Sequence, residues 1–180
     1  MKFLRSNFEG QIIFMIRTLS LYGLLSVLVV ACSNASIKKE ENTLVNANKQ
    51  IVQRYFEEVW NKGNLQVLDS LLSPDYLNHT PSTPNPAPGP AGLKPIVQAI
   101  RRGFPDIHYE IQELIATDSF VVAQVIVTGT NTDSLFGLPP TGKPIRILQI
   151  NEEKIIDGKI SEHWRVTDEL GMMKQLGVYQ

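Results

Sequence analysis

The chain reads as an α+β protein in which helices come first and an antiparallel sheet follows, helices gathered on one face. Three observations predict this. Apolar residues recur at helical spacing as far as about residue 102. From residue 107 they alternate with polar ones, as in a strand with one wet face. Between the last two alternating runs stands Asp157-Gly158, a two-residue hairpin signal. A sheet of four strands or more is expected, and strong curvature would leave a cone with an apolar mouth for a small ligand.

The first helix carries Ile51, Val52, Tyr55, Phe56, Val59 and Trp60 at helical spacing, with Asn42 or Thr43 as cap and Lys62-Gly63 as stop. Asn64 then caps a short helix, LQVLDSLL, halted by Ser73-Pro74. The segment DYLNHTPSTPNPAPGPAG is expected to be loop, because each proline removes a donor and fixes φ. A third helix runs from about Pro90 to Arg102, stopped by Gly103. The strands are IHYEIQELIA, FVVAQVIVTGT, PIRILQINEEKII and KISEHWRV, the second apolar on both faces and therefore central. DELGMMKQLG closes the chain as a helix.

The front of the chain differs from the rest. From Gln11 it runs QIIFMIRTLSLYGLLSVLVVAC, with an apolar core from Leu19 to Val30 that is short for a membrane span. A basic start, a short apolar stretch and small closing residues are the layout of a secretory signal, whether translation begins at Met1 or Met15. Val29-Val30-Ala31-Cys32 resembles the bacterial lipobox. Cys32, the sole cysteine, has no partner for an internal disulfide, and lipid attachment explains it. The expected organisation is a signal peptide over 1–31, a lipid-attached flexible tether over 32–42 and one domain over 43–180, exported and anchored to a bacterial membrane. A hydrophobic content of 43% against 19% charged residues suits one such domain. Cleavage would remove Lys2, Arg5, Arg17 and Glu9 and leave a net charge of −3, which excludes a basic nucleic-acid surface.

GTNTDSLFGLPPTGKPI (129–145) and IIDGKISEHWRVTDELGMMKQLG (155–177), with the opening RYFEEVWNKGNLQVLDSLLSPDYLNHTP, resemble the SnoaL-like polyketide cyclases and ester cyclases of the nuclear transport factor 2-like superfamily. The resemblance covers nearly all of 48–177. It implies a cone-shaped α+β fold, assembly as a homodimer or larger oligomer, and ring closure by intramolecular aldol condensation. In such cyclases a pocket aspartate takes a proton from carbon and helps to protonate the receiving carbonyl. By motif position that residue is Asp168, whose carboxylate would become a stronger base in an apolar cone. His79, near the expected mouth, is the second catalytic candidate. No cofactor is implied.

Each candidate has a plainer role. Asp168 stands at a strand-to-helix junction, where an aspartate caps well. Strand parity puts Ile160, Glu162, Trp164 and Val166 on one face and Ser161, His163 and Arg165 on the other; the face with Trp164, being more apolar, is expected to line the cone. On that basis His163 points outward and Glu162 is either a second inward carboxylate or a salt-bridge partner. The strand 144–156 has no histidine and offers Gln149, Asn151 and Glu153 on one alternating face, the two amides suited to hold a carbonyl, with Asn131 as a further contact. Trp60 and Phe56 would be core or apolar wall, and His108 surface. No metal-ligand spacing, phosphate loop or nucleophile–base motif is present. The expected ligand is a small hydrophobic or carbonyl-containing molecule. Two functions fit: a lyase or isomerase of the cyclase type, or a non-catalytic, lipid-anchored protein that binds a hydrophobic metabolite or a partner protein.

Overall fold

The computed structural model describes residues 39–40 and 42–179. The chain divides into two compact units, Met1–Thr43 and Leu44–Gln180. The expected signal peptide, Cys32 and most of the tether lie outside the described residues. Asn42 and Thr43 do not cap a helix; both are helical, and the Thr43 hydroxyl donates back to the Lys39 carbonyl at 2.9 Å.

In the second unit helix α1 covers residues 44–61 and loosens into π geometry over Tyr55–Asn61. Its apolar stripe, Val52, Tyr55, Phe56, Val59 and Trp60, is buried as the spacing predicts. Gly63 (φ +72°) ends it in the left-handed region that glycine adopts without strain. A 3-10 turn, Leu65–Val67, leads into the single-turn α2, Leu68–Leu71. Asn64 occupies the cap position of that turn but makes no side-chain capping bond. Helix α3, Pro90–Gly103, buries Leu93, Ile96, Val97 and Ile100.

The sheet has five strands. Strand β1 is Leu72–Asn78, β2 His108–Ala116, β3 Phe120–Thr130, β4 Pro144–Ile156 and β5 Lys159–Thr167, in the spatial order β1-β5-β4-β3-β2. The meander β2–β5 matches the expected strands, whereas β1 corrects the reading of 72–78 as helix end and loop. It pairs in parallel with β5, Leu72 beside Ile160 and Asn78 beside His163. Its place at the sheet edge is what lets it hold Pro74.

Besides a register shift between Leu72 and Leu77 on β1, two bulges bend the antiparallel part of the sheet. The register skips Gln112 between β2 and β3, and Ser161 between β4 and β5. An extra residue kinks its strand and increases local twist. The helices cover the concave face, so the core lies between them and Val121, Ala123, Val125, Val127, Ile147 and Ile160.

Helix α4, Glu169–Leu176, closes the open end of β4. Asp168 caps it, Oδ1 accepting from Gly171 N at 2.9 Å, and Gly177 (φ +74°) ends it. Gln175 then acts as a substitute strand: its Oε1 accepts from Arg146 N at 2.7 Å and its Nε2 donates to Arg146 O at 3.1 Å. The DELGMMKQLG run thus reads as cap, dock and stop.

Candidate functional site

The Ser161 bulge decides which side chains face the interior. Beyond it, Glu153 pairs with His163, Asn151 with Arg165 and Gln149 with Thr167, all on the concave face. Glu162, Trp164 and Val166 consequently lie on the outer face. The parity drawn from the uninterrupted sequence is therefore inverted. His163, expected outside, is buried; Trp164, expected to line the cone, does not.

A cavity of about 390 Å³ opens between the concave face, the end of α3, the 135–136 turn and the start of α4. Its walls are largely apolar, with Phe104, Val127, Leu135, Ile145, Ile147 and Met172 among them. Polar groups converge from one side: Gln149 of β4, Arg165 and Thr167 of β5, and Thr80 and Ser82 from the proline-rich segment. Arg165 ties that segment down, its Nη2 donating to Ser82 Oγ at 3.0 Å and reaching Thr80 O at 3.5 Å. Glu169 stands at the rim.

Below the lining lies a buried polar layer. Glu153 Oε1 and His163 Nδ1 share a hydrogen bond of 2.8 Å, and both side chains are almost wholly buried. Burial raises the Glu153 pKa against the opposing pull of His163. The Tyr55 and Tyr76 hydroxyls are pushed up as well, by burial first. Within this layer Glu153 Oε2, Asn151 Nδ2 and Tyr76 Oη have no hydrogen-bond partner among the described residues.

Of the expected site residues, Gln149 lines the cavity and Asn151 is buried just behind it. Asp168 does not line it. The side chain is exposed, so the desolvation expected of it is absent, although its neighbours Thr167 and Glu169 both reach the cavity. His79 stacks on Trp164 across the outer face, ring centroids 4.3 Å apart, and its Nε2 donates to Glu162 Oε2 at 2.8 Å. Glu162 also accepts from Lys154 at 2.7 Å, and these two partners hold its pKa below the ordinary value. Phe56 and Trp60 belong to the core, packed against Tyr109 at 5.9 and 5.2 Å. Asn131 pins the loop over the cavity: Nδ2 donates to the Gly103 and Asp133 carbonyls, and Oδ1 accepts from Thr141 N. Sequence reasoning missed Arg165, Thr167 and the Glu153–His163 pair; Arg165 was discounted by parity alone. Among the described residues no group of three or more acidic, histidine or cysteine side chains is placed to hold a metal.

Fold and cavity together define an α+β cone with an open, largely apolar cavity. Residues 50–176 match the model of the SnoaL-like polyketide cyclases, and the chain belongs to that family. It is 30% identical over 126 residues to the aklanonic acid methyl ester cyclase of Streptomyces peucetius, covering 69% of this chain and 87% of that protein. It is 29% identical over 119 residues to the nogalonic acid methyl ester cyclase of Streptomyces nogalater, covering 66% and 89% respectively. Among solved structures, IdmH from Streptomyces antibioticus superposes with a TM-score of 0.62 at 31% identity, over 72% of this chain and 97% of that one. TsrD from Streptomyces laurentii superposes at 0.67 with 23% identity, over 73% and 96%, a likeness of fold.

Proposed function

We propose that the protein is a lyase or isomerase of the aldol-cyclase type, acting on a small carbonyl compound seated in the cavity. The observation that carries this reading is the open apolar cavity with Gln149 on its wall and Asp168 between two residues that line it. Asp168 Oδ1 is committed to capping, and Oδ2 accepts no hydrogen bond among the described residues. In the proposed step Asp168 takes the proton from the carbon beside one carbonyl, while the Gln149 amide donates to that carbonyl oxygen as it gains charge. The enolate carbon then bonds to a second carbonyl carbon of the same molecule, and the alkoxide formed there receives the proton back from Asp168. A ligand filling the cavity would displace water from the rim and strengthen these interactions.

Solvent-deuterium incorporation into 1-tetralone, followed by proton NMR, tests the step. The chain should accelerate exchange at the carbon beside the ketone, and Asp168→Asn should abolish this with an almost unchanged melting temperature, because asparagine also caps. Exchange that survives in Asp168→Asn would remove the aspartate from the mechanism. A second reading, a non-catalytic carrier, draws support from the exposure of Asp168 and from the absence of a histidine among the lining residues. A chain that retains apolar ligands but never accelerates exchange would favour it.

Export and lipid attachment at Cys32 belong to the same proposal, supported by the VVAC run. Labelled palmitate should enter the wild-type chain and not Cys32→Ser. A homodimer is proposed too, since Leu148, Ile150 and Val166 expose apolar surface on the outer face of the sheet; light scattering in solution checks it.

A further inference from the structure

Three polar pairs stand side by side on the concave face: Gln149 with Thr167, Asn151 with Arg165 and Glu153 with His163. Their hydrogen-bonding capacity is only partly used. Asn151 Nδ2 and Thr167 Oγ1 are sealed from solvent and have no partner among the described residues, a state that folded proteins avoid unless something fills it. Arg165 is half-buried and hydrogen-bonded, but its charge has no counter-ion among the described residues. Its guanidinium meets only neutral oxygens, those of Ser82 and Thr80. No carboxylate forms an ion pair with it among the described residues.

The nearby acids make no direct bond to that charge. Glu153, one pair deeper, gives Oε1 to His163, and burial raises its pKa against the opposing pull of His163 and Arg165. Glu169 is exposed to water at the rim, where its field is screened. The sheet side of the cavity thus carries one cation, Arg165, beside Thr167, and Asn151 lies just behind them; both neighbours hold an unspent donor, against apolar walls that shed water. A guanidinium fork and amide and hydroxyl donors form a set suited to a planar, two-oxygen anion.

We propose that Arg165, Asn151 and Thr167 form an anion subsite on the buried side of the cavity, and that the ligand is a small carboxylic acid whose carboxylate binds there. Its apolar body lies along Ile147, Val127 and Phe104. This deepens the cyclase reading by naming the substrate class. It also separates this chain from the two relatives named above, whose names specify methyl esters. Esterification removes the charge and so the match to Arg165.

Calorimetric titration of the purified full chain with 2-naphthoate and with methyl 2-naphthoate, both at pH 7, tests it. The acid should bind at least about tenfold more tightly than the ester, as expected for a charge-assisted pair of hydrogen bonds. Arg165→Gln should erase the preference without weakening the ester. Ser82→Ala, which loosens only the strap, should keep it. Should Arg165→Gln fail to fold, Thr167→Val and Asn151→Ala should each weaken the acid alone. An ester that binds as well as the acid, a preference that survives Arg165→Gln, or no binding of the acid at millimolar concentration would each overturn the subsite. If the subsite fails while Asp168→Asn still abolishes exchange into 1-tetralone, the proton-transfer reading stands.

Discussion

The buried Glu153–His163 pair offers a sharp test of how the interior is held together. His163→Leu leaves Glu153 with neither oxygen bonded, because Oε2 already lacks a partner among the described residues and Oε1 depends on the 2.8 Å contact with His163. Removing one member of a buried pair costs about 3–5 kcal/mol. That is a large part of the roughly 5–15 kcal/mol that stabilises an ordinary domain. Glu153→Gln keeps the shape and an acceptor for the histidine, and should cost only about 1 kcal/mol at pH 7. The double variant Glu153→Met, His163→Leu removes both polar groups and should be more stable than His163→Leu alone, so its loss should be smaller than the sum of those of the single variants Glu153→Met and His163→Leu. Urea unfolding reads all five proteins, the wild type included. The pH dependence follows from the raised Glu153 pKa. The folded state favours the protonated carboxyl, so its stabilising contribution is complete below the ordinary value of 4.5 and is lost as pH rises through the folded pKa. Glu153→Gln should therefore gain on the wild type between pH 4 and pH 8. A His163→Leu loss below about 1 kcal/mol, or strict additivity, would refute the account of a coupled buried pair.

Three further outcomes follow from the geometry. Deleting Ser161 removes the bulge but keeps every pairing, with Trp164 and Val166 outside and His163 and Arg165 inside, so the chain should still fold, at lower stability in urea because the local kink is lost; Ser161→Ala, which gives up one 3.2 Å bond to Lys154 O, should cost about 0.5–1.5 kcal/mol in urea. In Gly92→Ala the new Cβ would overlap the Ala87 carbonyl oxygen, and a thermal melt should show about 1–3 kcal/mol of destabilisation as the proline-rich segment is pushed away. Glu162, whose pKa is lowered by Lys154 first and then His79, stabilises the fold at neutral pH and loses that contribution as pH falls through its folded pKa, so Glu162→Gln should trail the wild type at pH 7 and match it at pH 2.

What the sequence reveals about this fold depends on how local the cause is. The alternation in β2 to β4 is set by residues two apart, and the Asp157-Gly158 turn by two adjacent residues, so both can be read directly. Strand β1 cannot. SPDYLN has no clear period and contains a proline, and only pairing with a strand some ninety residues later makes it extended. The bulge at Ser161 is harder still, because nothing in KISEHWRV marks which residue is skipped. That single residue exchanges Trp164 for His163 and brings Arg165 into the cavity. Asn131 and Asp168 show a different failure: residue type and motif point to chemistry, while the local backbone uses both side chains to fix a loop and a helix end.

The parallel contact between β1 and β5 constrains when the cavity can exist at all. The segment that overhangs it is held by the His79 N bond to His163 O and by the Arg165 bond to Ser82, so its restraints are made of residues more than eighty positions apart. During synthesis the helices and the β2–β4 ladder can form as they emerge, but the overhang has nothing to grip until β5 has left the ribosome. Until then the apolar wall stands open on one side. A nascent chain with β5 still inside the ribosome would present that wall to chaperones, whereas one released after α4 would already have closed it.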